Sequence, residues 1–325
     1  MERRRIARTK VEVTTLGFGA APIGNLYTAV DAETAHAAVN AAWDGGVRYF
    51  DTAPHYGLGL SERRLGAALA EHRRDEIVVS TKVGRLLVPN ATPTGSDLEA
   101  NGFVVSDTLT RLRDYSADGV RRSIEASLTR LGLDRIDIAL IHDSDEHMRA
   151  AIDEAVPALV ALRDQGVVAA IGAGMNHADT LLRFVTETDI DVVMVAGRWT
   201  IIDRSAHQLM SSCLHRGISV LAAAPFNSGL LSRTWPPDGA FFDYGPAPED
   251  VLRLARALAA ECQRWGVTLP HAAIQFPLQH PAVASVVAGI RTPAQAAGDV
   301  AWAISELPEA AWEAFADVVR QSEIR

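Results

Sequence analysis

Short apolar runs alternate with longer amphipathic stretches along most of the chain. Eight of these runs have the length and character of strands; they cover residues 16–20, 47–51, 77–81, 136–141, 168–172, 192–195, 219–223 and 285–288. Continuous apolar runs of this length are typical of parallel strands that are buried on both faces, with helices as the crossovers between them. The pattern predicts an α/β fold in which eight strands and their helices form a (β/α)₈ TIM barrel.

Capping signals mark the ends of several predicted helices. Ser116 precedes a helical stretch and Gly132 follows it, at the positions of a side-chain N-cap and of a left-handed C-terminal residue. Ser61 is a second candidate N-cap. Pro157 interrupts the helical stretch 151–165, so we expect that helix to start late or to kink.

Three segments fall outside the alternation. Residues 11–13 precede the first barrel strand, and we expect them to belong to an N-terminal β-hairpin that closes the bottom of the barrel. Residues 84–115 and 232–248 are long, rich in proline and glycine, and follow the third and seventh strands. Because active sites of these barrels lie at the C-terminal ends of the strands, both segments are predicted to cover the substrate, with plain surface loops as the alternative.

The bulk composition bounds the class of protein. The 325 residues are 48% hydrophobic, which suits one barrel domain over residues 1–325. A net charge of −9 argues against a nucleic-acid-binding surface. No apolar run is long enough to span a membrane, and the basic N-terminus lacks the apolar core of a secretory signal, so we expect a cytoplasmic protein. Cys213 and Cys262 have no CxxC partner, which predicts buried, reduced thiols and no metal site.

Four polar residues occur at or just after three consecutive strands. Asp51 ends the second strand, Tyr56 lies in the loop that follows it, Lys82 ends the third strand and His142 ends the fourth. The C-terminal ends of barrel strands share one rim, so we expect these side chains to meet there. A single lysine or histidine at such a position is commonly structural, but the four together predict an active site.

The four residue types make chemical sense as a group. A tyrosine hydroxyl has an ordinary pKa near 10, and a neighbouring ammonium lowers it by favouring the phenolate. A carboxylate keeps the ammonium in place, and an imidazole can orient a substrate oxygen. The result is an acid/base group suited to act opposite a hydride donor or acceptor. A lysine at a barrel strand end could instead form a Schiff base, as in barrel aldolases.

The motif FDTAPHYG, which contains Asp51 and Tyr56, resembles the signature of the aldo-keto reductase family. Lys82 and His142 fall where that family has its lysine and histidine, and the resemblance extends over nearly the whole chain. It implies a nicotinamide-dependent oxidoreductase in which Tyr56 is the general acid/base, Lys82 and Asp51 tune it, and His142 orients the substrate. Some proteins of this fold are non-catalytic, nicotinamide-binding regulatory subunits, an alternative that the intact set of four disfavours.

Three further motifs resemble a narrower group within that family; they are AIGAGMN at 170–176, VAGRWT at 195–200 and NSGLL at 227–231. The group contains D-threo-aldose 1-dehydrogenases, L-fucose dehydrogenases and pyridoxal 4-dehydrogenases. The resemblance implies NAD-dependent oxidation of an aldose lactol of the L-fucose, D-arabinose or L-galactose type at C1, or alternatively oxidation of the pyridoxal hemiacetal to 4-pyridoxolactone. His55 and Trp199 are the candidate substrate residues, although Trp199 could equally be core packing.

The cofactor site is predicted after the seventh and eighth strands. The loop after the seventh strand resembles the family's pyrophosphate loop, and its candidate contacts are Pro225, Asn227, Ser228, Gly229 and Leu230. After the eighth strand, Gly289 and Gln295 stand where NADPH-using relatives have a lysine and an arginine for the 2′-phosphate. A dianionic phosphate without these cations would be poorly held, so NAD is predicted over NADP. Arg291 is a nearby cation that could reach a 2′-phosphate.

The predicted nicotinamide contacts depart from the family's pattern. Ala223 stands where a stacking tyrosine is common, and residues 174–175 replace a Ser-Asn pair. Asn176 could serve the carboxamide from one position later, and Asp299 completes the candidate cofactor residues. The predicted partner is a small-molecule substrate, without nucleic acid or membrane, and the sequence does not indicate an oligomeric state.

Overall fold

The computed structural model describes residues 1–322. Fourteen strands are numbered in chain order: β1 (Arg3–Arg5), β2 (Glu12–Thr14), β3 (Leu16–Gly19), β4 (Tyr49–Asp51), β5 (Val78–Val83), β6 (Arg85–Pro89), β7 (Leu109–Arg113), β8 (Ile136–His142), β9 (Val168–Met175), β10 (Val192–Ala196), β11 (Ser219–Ala223), β12 (Phe241–Phe242), β13 (Gly245–Pro246) and β14 (Val283–Gly289). Eight of these form a closed barrel, and the other six form three antiparallel pairs.

The helices among the described residues surround the barrel. They are α1 (Ala32–Asp44), α2 (Leu60–Leu69), α3 (Leu98–Asn101), α4 (Ala117–Leu131), α5 (Met148–Ala150), α6 (Val156–Asp164), α7 (Ala178–Glu187), α8 (His207–Arg216), α9 (Glu249–Arg264), α10 (Leu269–Leu278), α11 (Pro293–Ile304) and α12 (Glu309–Gln321). In the part of the chain that the structure describes, no helix combines the length and the apolar character needed to cross a membrane.

The barrel strands are β3, β4, β5, β8, β9, β10, β11 and β14, and neighbours in this order pair in parallel. The barrel closes where Val286 of β14 lies opposite Leu16 of β3. The predicted (β/α)₈ fold is therefore confirmed, with each predicted apolar run at a barrel strand. The fifth strand is three residues longer than predicted and ends at Met175. A Cβ on its Gly172 would lie 1.8 Å from the carbonyl oxygen of Val192, so close packing requires glycine there.

The predicted N-terminal hairpin is also present. Strands β1 and β2 pair with Arg3 opposite Thr14. Ile6, Val11 and Val13 are buried in one cluster with inward side chains of the barrel strands, and Arg4 donates to carbonyl oxygens at both ends of the turn before β14. The hairpin thus closes the N-terminal end of the barrel and leaves the opposite end open for a site.

The helix-end predictions hold in part. Ser116 accepts a hydrogen bond from the amide of Gly119, and Gly132 is left-handed after α4, both as predicted. The prediction that Ser61 is an N-cap is wrong. Helix α2 begins one residue earlier, at Leu60, and the Ser61 hydroxyl instead donates to the carbonyl of Ala20 in the barrel interior. A hydroxyl that finds a buried acceptor across the fold is not available for capping its own helix.

Proline and cysteine positions behave as expected. A π-helical turn at residues 151–155 precedes α6, and Pro157 lies in the first turn of that α-helix, so the regular α-helix starts late as expected. Cys213 and Cys262 are free and buried, and burial raises the pKa of each thiol to about 12. Both thiols are therefore inert packing groups.

The two long segments have structure of their own. The first, here called the insert (residues 84–115), contains the antiparallel pair β6–β7 and the short helix α3. It is fastened to the loop after β3, where Asn25 donates to the carbonyl of Val104 and the amide of Tyr27 donates to that of Gly102. The second, here called the 232–248 loop, contains the small β12–β13 pair. Both follow the C-terminal ends of barrel strands.

Candidate active site

The four predicted residues meet at the C-terminal rim of the barrel. Asp51 is the last residue of β4, Lys82 lies near the end of β5, and His142 ends β8. These three strands are neighbours in the sheet, so their ends lie side by side. Tyr56 follows β4, with its ring centroid 4.8 Å from the Lys82 ammonium and 5.9 Å from the His142 ring.

Asp51 and Lys82 form a buried ion pair. The ammonium donates to both carboxylate oxygens, at 2.9 and 2.8 Å, and to the carbonyl of Thr52 at 2.9 Å. Ser80 donates to the same carboxylate at 2.6 Å, and the Tyr49 hydroxyl lies 2.9 Å from the Ser80 hydroxyl. Burial alone lowers the pKa of Lys82, but the charge of Asp51 and the neighbouring tyrosine raise it above its ordinary value. Lys82 is therefore held as a cation.

Tyr56 is held as a neutral phenol in this arrangement. Burial raises the pKa of Tyr56 to about 12; Lys82 acts in the opposite direction and Asp51 adds to the increase. From the sequence, the Lys82 ammonium was expected to lower the pKa of Tyr56, and that contribution is present. It is outweighed by the removal of the hydroxyl from water, which disfavours the phenolate.

His142 is neutral and has a free ring nitrogen. Burial, and then the cations Arg85 and Lys82, hold the pKa of His142 well below its ordinary range. Within residues 1–322 its buried Nδ1 has no hydrogen-bond partner, and its Nε2 lies 3.5 Å from Asp143, which Arg85 binds at 2.6 Å. The Tyr115 hydroxyl donates to the His142 carbonyl at 3.0 Å. A fixed, neutral imidazole of this kind suits a hydrogen bond to a substrate oxygen.

The two candidate substrate residues have different surroundings. The His55 ring centroid lies 5.7 Å from that of His142 and 5.3 Å from that of Phe103, so His55 is beside the four residues. Trp199 instead packs against Phe276 at 5.9 Å and against a histidine after α10 at 5.4 Å. These contacts favour the packing alternative for Trp199, because its ring is already occupied by neighbours on the outer helices.

The loop after β11 has an unusual backbone. Ala224, Asn227 and Ser228 have positive φ angles of 54°, 44° and 56°, and Gly229 follows at 93°. Asn227 is buried and donates to the Gly197 carbonyl at 3.0 Å, while its Oδ1 has no partner within residues 1–322. Strained backbone beside an unpartnered buried oxygen is typical of a ligand-binding loop.

Two other predicted residues of this loop, Leu230 and Pro225, offer no free hydrogen-bond donor to a ligand. The side chain of Leu230 is fully buried in the outer core, and its amide donates within the loop to Asn227, so neither group faces a ligand. Pro225 is buried and carries no amide hydrogen. The Ser228 hydroxyl accepts from the backbone amide of Tyr244, in the 232–248 loop. The amides of Asn227 and Gly229 likewise donate within the loop, to the carbonyls of Ala224 and Phe226.

Asn176 and Tyr244 meet across the mouth of this cleft. The Asn176 amide donates to the Tyr244 hydroxyl at 3.0 Å. The cleft between them is lined by Asn176, Ala196, Gly197, Ala224, Asn227, Ser228, Asp243 and Tyr244. Most of these residues are small or amide-bearing. The Asn227 oxygen that has no partner among residues 1–322 also lies in this cleft.

The segment after β14 has few groups that could bind a 2′-phosphate. The Gln295 side chain accepts from the amides of Arg291 and Thr292 and completes the capping box of α11. The Arg291 guanidinium donates to the carbonyl of Leu26 at 2.8 Å. Asp299 lies on the same helix, is 3% exposed, and burial raises its pKa to about 7. Gly289 contributes no cation.

Sequence reasoning missed several polar residues at the site. They are Arg85, Asp97, Arg111 and Asp143, together with Tyr244 in the 232–248 loop. Three of them lie in the insert, where a mixture of charged residues looks like any exposed loop. The one signal was that arginine alternates along 111–113, as on a strand with one face turned inward. In residues 1–322, no cluster of three or more His, Cys, Asp or Glu side chains could hold a metal ion.

The chain is similar to known proteins over nearly all its length. The profile described as the aldo/keto reductase family matches residues 15–320. The chain is 45% identical to D-threo-aldose 1-dehydrogenase of a Pseudomonas species, over 96% of this chain and 95% of that protein. It is 36% identical to pyridoxal 4-dehydrogenase of Microbacterium luteolum, with the same coverage. The holo form of aldo-keto reductase AKR11C1 from Bacillus halodurans superposes with a TM-score of 0.79 at 25% identity, covering 99% of this chain and 96% of that one.

Proposed function

Because this chain belongs to the aldo/keto reductase family, we propose that it is a NAD-dependent dehydrogenase that oxidises an aldose, as its cyclic lactol, at C1 to the lactone. Members of the family are nicotinamide-dependent oxidoreductases that act on CH–OH groups. The observation that carries the proposal is the buried Lys82–Asp51 pair beside Tyr56, with the neutral imidazole of His142 on the other side of the phenol.

The chemistry assigns one task to each side chain. The bound nicotinamide would accept a hydride from C1. Tyr56 takes the proton of the C1 hydroxyl as the C1–O bond becomes a carbonyl, so the sugar loses two electrons and two hydrogens, as a hydride from C1 and a proton from its hydroxyl. Lys82 favours the phenolate form of Tyr56 that this step requires. His142 donates a hydrogen bond to the reacting oxygen and fixes its direction toward Tyr56.

The proposed cofactor residues are those of the predicted set that line the cleft or lie on the exposed part of the loop after β11. Asn227, Ser228 and Gly229 would hold the pyrophosphate, and Asn176 would bind the carboxamide after it releases Tyr244. Asp299 would lie toward the adenosine. The preference for NAD is supported by the engagement of Gln295 in the helix cap and by Gly289, and the bond from Arg291 to the Leu26 carbonyl directs that cation elsewhere. Equal dissociation constants for NADH and NADPH would contradict this preference.

The aldose substrate is supported by the 45% identity to D-threo-aldose 1-dehydrogenase. The 36% identity to pyridoxal 4-dehydrogenase keeps pyridoxal as the second candidate. The test is NADH formation from NAD with L-fucose, D-arabinose, L-galactose and pyridoxal under matched conditions. A kcat/KM for one aldose far above that for pyridoxal supports the proposal. The reverse order would transfer the assignment to pyridoxal, and no turnover of any aldose would refute it.

Two other classes of function are disfavoured by particular contacts. A Schiff-base lysine must lose its proton, whereas Lys82 donates three hydrogen bonds and its pKa is raised. Borohydride trapping of a substrate on Lys82 would revive the aldolase alternative. A regulatory subunit would have no use for a complete proton-transfer set, and NADH formation by the purified protein separates that alternative directly.

A further inference from the structure

Arg111, on strand β7 of the insert, makes contacts at the site that the reaction above does not use. Its Nε donates to Nδ1 of His55 at 2.6 Å, and its Nη2 donates to the His55 carbonyl at 2.8 Å. The guanidinium also forms a two-pronged pair with Asp97, at 2.7 Å for each bond. The side chains of Arg111 and Asp97 are only 9% and 5% exposed, so this is a built arrangement inside the insert.

These contacts determine which nitrogen of His55 carries the proton. A guanidinium only donates hydrogen bonds and stays protonated at any ordinary pH. Nδ1 must therefore accept, and the ring proton must be on Nε2. A second proton on Nδ1 would point at the N–H group of Arg111, so the ring is also prevented from becoming an imidazolium. Burial and then the nearby arginines correspondingly lower the pKa of His55 to about 2.

The Nε2–H group of His55 is available as a hydrogen-bond donor. None of the side-chain hydrogen bonds formed within residues 1–322 involves this atom, and the ring is partly exposed rather than sealed in the core. The ring faces the edge of Phe103 and lies near both His142 and Tyr56, at 5.7 and 6.1 Å between centroids. A single, fixed donor is thus present beside the reacting groups.

We propose that Arg111 is a positioning residue that fixes His55 as a neutral Nε2–H donor to an oxygen of the substrate, other than the oxygen that is oxidised. The inference rests on the proposed function and adds how the substrate is recognised. The substrate is a polyhydroxylated ring; His142 binds its reacting oxygen and His55 binds a neighbouring oxygen. Asp97 holds Arg111 in place.

The first test measures the tautomer and needs no activity. Two-bond ¹H–¹⁵N spectra of ¹⁵N-histidine-labelled enzyme, assigned with H55N, distinguish a bare nitrogen from one that carries hydrogen. In the unaltered enzyme we expect the His55 Nδ1 to be bare and Nε2 protonated, without titration between about pH 5 and about pH 8, the range in which free imidazoles titrate. A proton on Nδ1, or titration in this range, would overturn the inference even if the enzyme oxidises aldoses.

Arg111→Met should free Nδ1 and let His55 titrate, whereas Arg111→Lys, which retains a charge and a donor, should suppress that titration. The matched control is Arg163→Met. Arg163 also binds two aspartates, Asp189 and Asp191, at 2.6 and 2.9 Å, but near the start of β10 at the opposite end of the barrel. This control should lose a comparable ion pair and leave the His55 spectrum unchanged.

The second test uses whichever compound of the panel is turned over. His55→Asn keeps an acceptor near Nδ1 for Arg111 but deletes the Nε2–H donor, so its KM should rise about three- to tenfold, the worth of one hydrogen bond, with a smaller change in kcat. Arg111→Met should add an acid limb to the pH profile of kcat/KM, and the double variant with His55→Asn should lack that limb. Unchanged KM in a folded H55N enzyme would refute the substrate contact.

Discussion

Asp299 should make the stability of this enzyme fall as pH rises toward neutrality. The side chain is buried on α11, and neither a side-chain hydrogen bond nor an ion pair to its carboxylate occurs within residues 1–322. Burial raises its pKa from an ordinary 3.8 to about 7. Each pKa unit corresponds to about 1.4 kcal/mol, so the ionised carboxylate destabilises the fold by at most about 4 kcal/mol.

The direction of the effect follows from which state binds the proton more tightly. Above the folded pKa, both the folded and the unfolded chains are ionised and the full cost is present. As pH falls from about 7 toward 3.8, the folded protein takes up the proton before the unfolded chain does, and the cost is removed. Asp299→Asn removes the charge at every pH, so it should stabilise the enzyme more at high pH than at low pH.

The assay is the thermal midpoint of D299N and of the unaltered enzyme, without NAD, at several pH values. Between about pH 5 and about pH 8.5 the difference in unfolding free energy should grow by about 3 kcal/mol. At an unfolding entropy of about 2.1 cal/mol/K per residue, this equals about 4 °C in the midpoint difference. The control is Glu306→Gln, an exposed carboxylate in the turn after α11. A D299N difference that does not depend on pH would refute the reasoning.

Three further predictions concern the proposed reaction and its cofactor. Tyr56→Phe should lower kcat by about 10²–10⁴-fold with little change in NADH affinity, because it removes only the proton carrier. Stopped-flow turnover measures kcat and a fluorescence titration measures the affinity. A variant that keeps most of its rate would exclude Tyr56 as the acid/base. Oxidation should become faster with rising pH, because more Tyr56 ionises as the pH approaches its pKa of about 12. Lys82→Met should lower kcat at every pH without steepening the profile, since Lys82 lowers that pKa; a variant that keeps the full rate would contradict this. Tyr244→Phe deletes the bond from Asn176 and should tighten NAD binding up to about fivefold by calorimetry, because that bond holds the cleft in its present form; weaker binding would mean that the hydroxyl belongs to the bound state.

The barrel and the four reacting residues were predictable because each rests on a local signal. Apolar runs of strand length report burial on both faces without reference to the rest of the chain, and strand ends must share a rim once the barrel closes. Asp51, Lys82 and His142 each end such a run, so their meeting follows from topology. The same reasoning located both long segments at the correct end of the barrel.

The failures of prediction depend on partners that are distant in sequence. Ser61 has the appearance of a helix cap, but its hydroxyl is used by the Ala20 carbonyl, 41 residues earlier. The pKa of Tyr56 was expected to follow the nearby ammonium, yet its burial depends on the whole rim and dominates. Arg111 acts on a residue 56 positions away. No local pattern specifies such pairs, since they exist only when the insert folds back over the barrel.

The electrostatics of the rim support the proposed role of Tyr56 in proton transfer when the groups that could carry the proton are compared. Burial and the cations around them keep His142 and His55 neutral, with each pKa far below the pH at which the enzyme would work. Lys82 is held protonated by Asp51, with its pKa above the ordinary value. Tyr56 differs because the opposing influences of burial and Lys82 act on the same hydroxyl, so a modest added positive charge at the cleft shifts it toward the phenolate. A bound oxidised nicotinamide would supply such a charge at the cleft. These differences support the proposal that Tyr56 is the acid/base and that both imidazoles serve as fixed hydrogen-bonding groups.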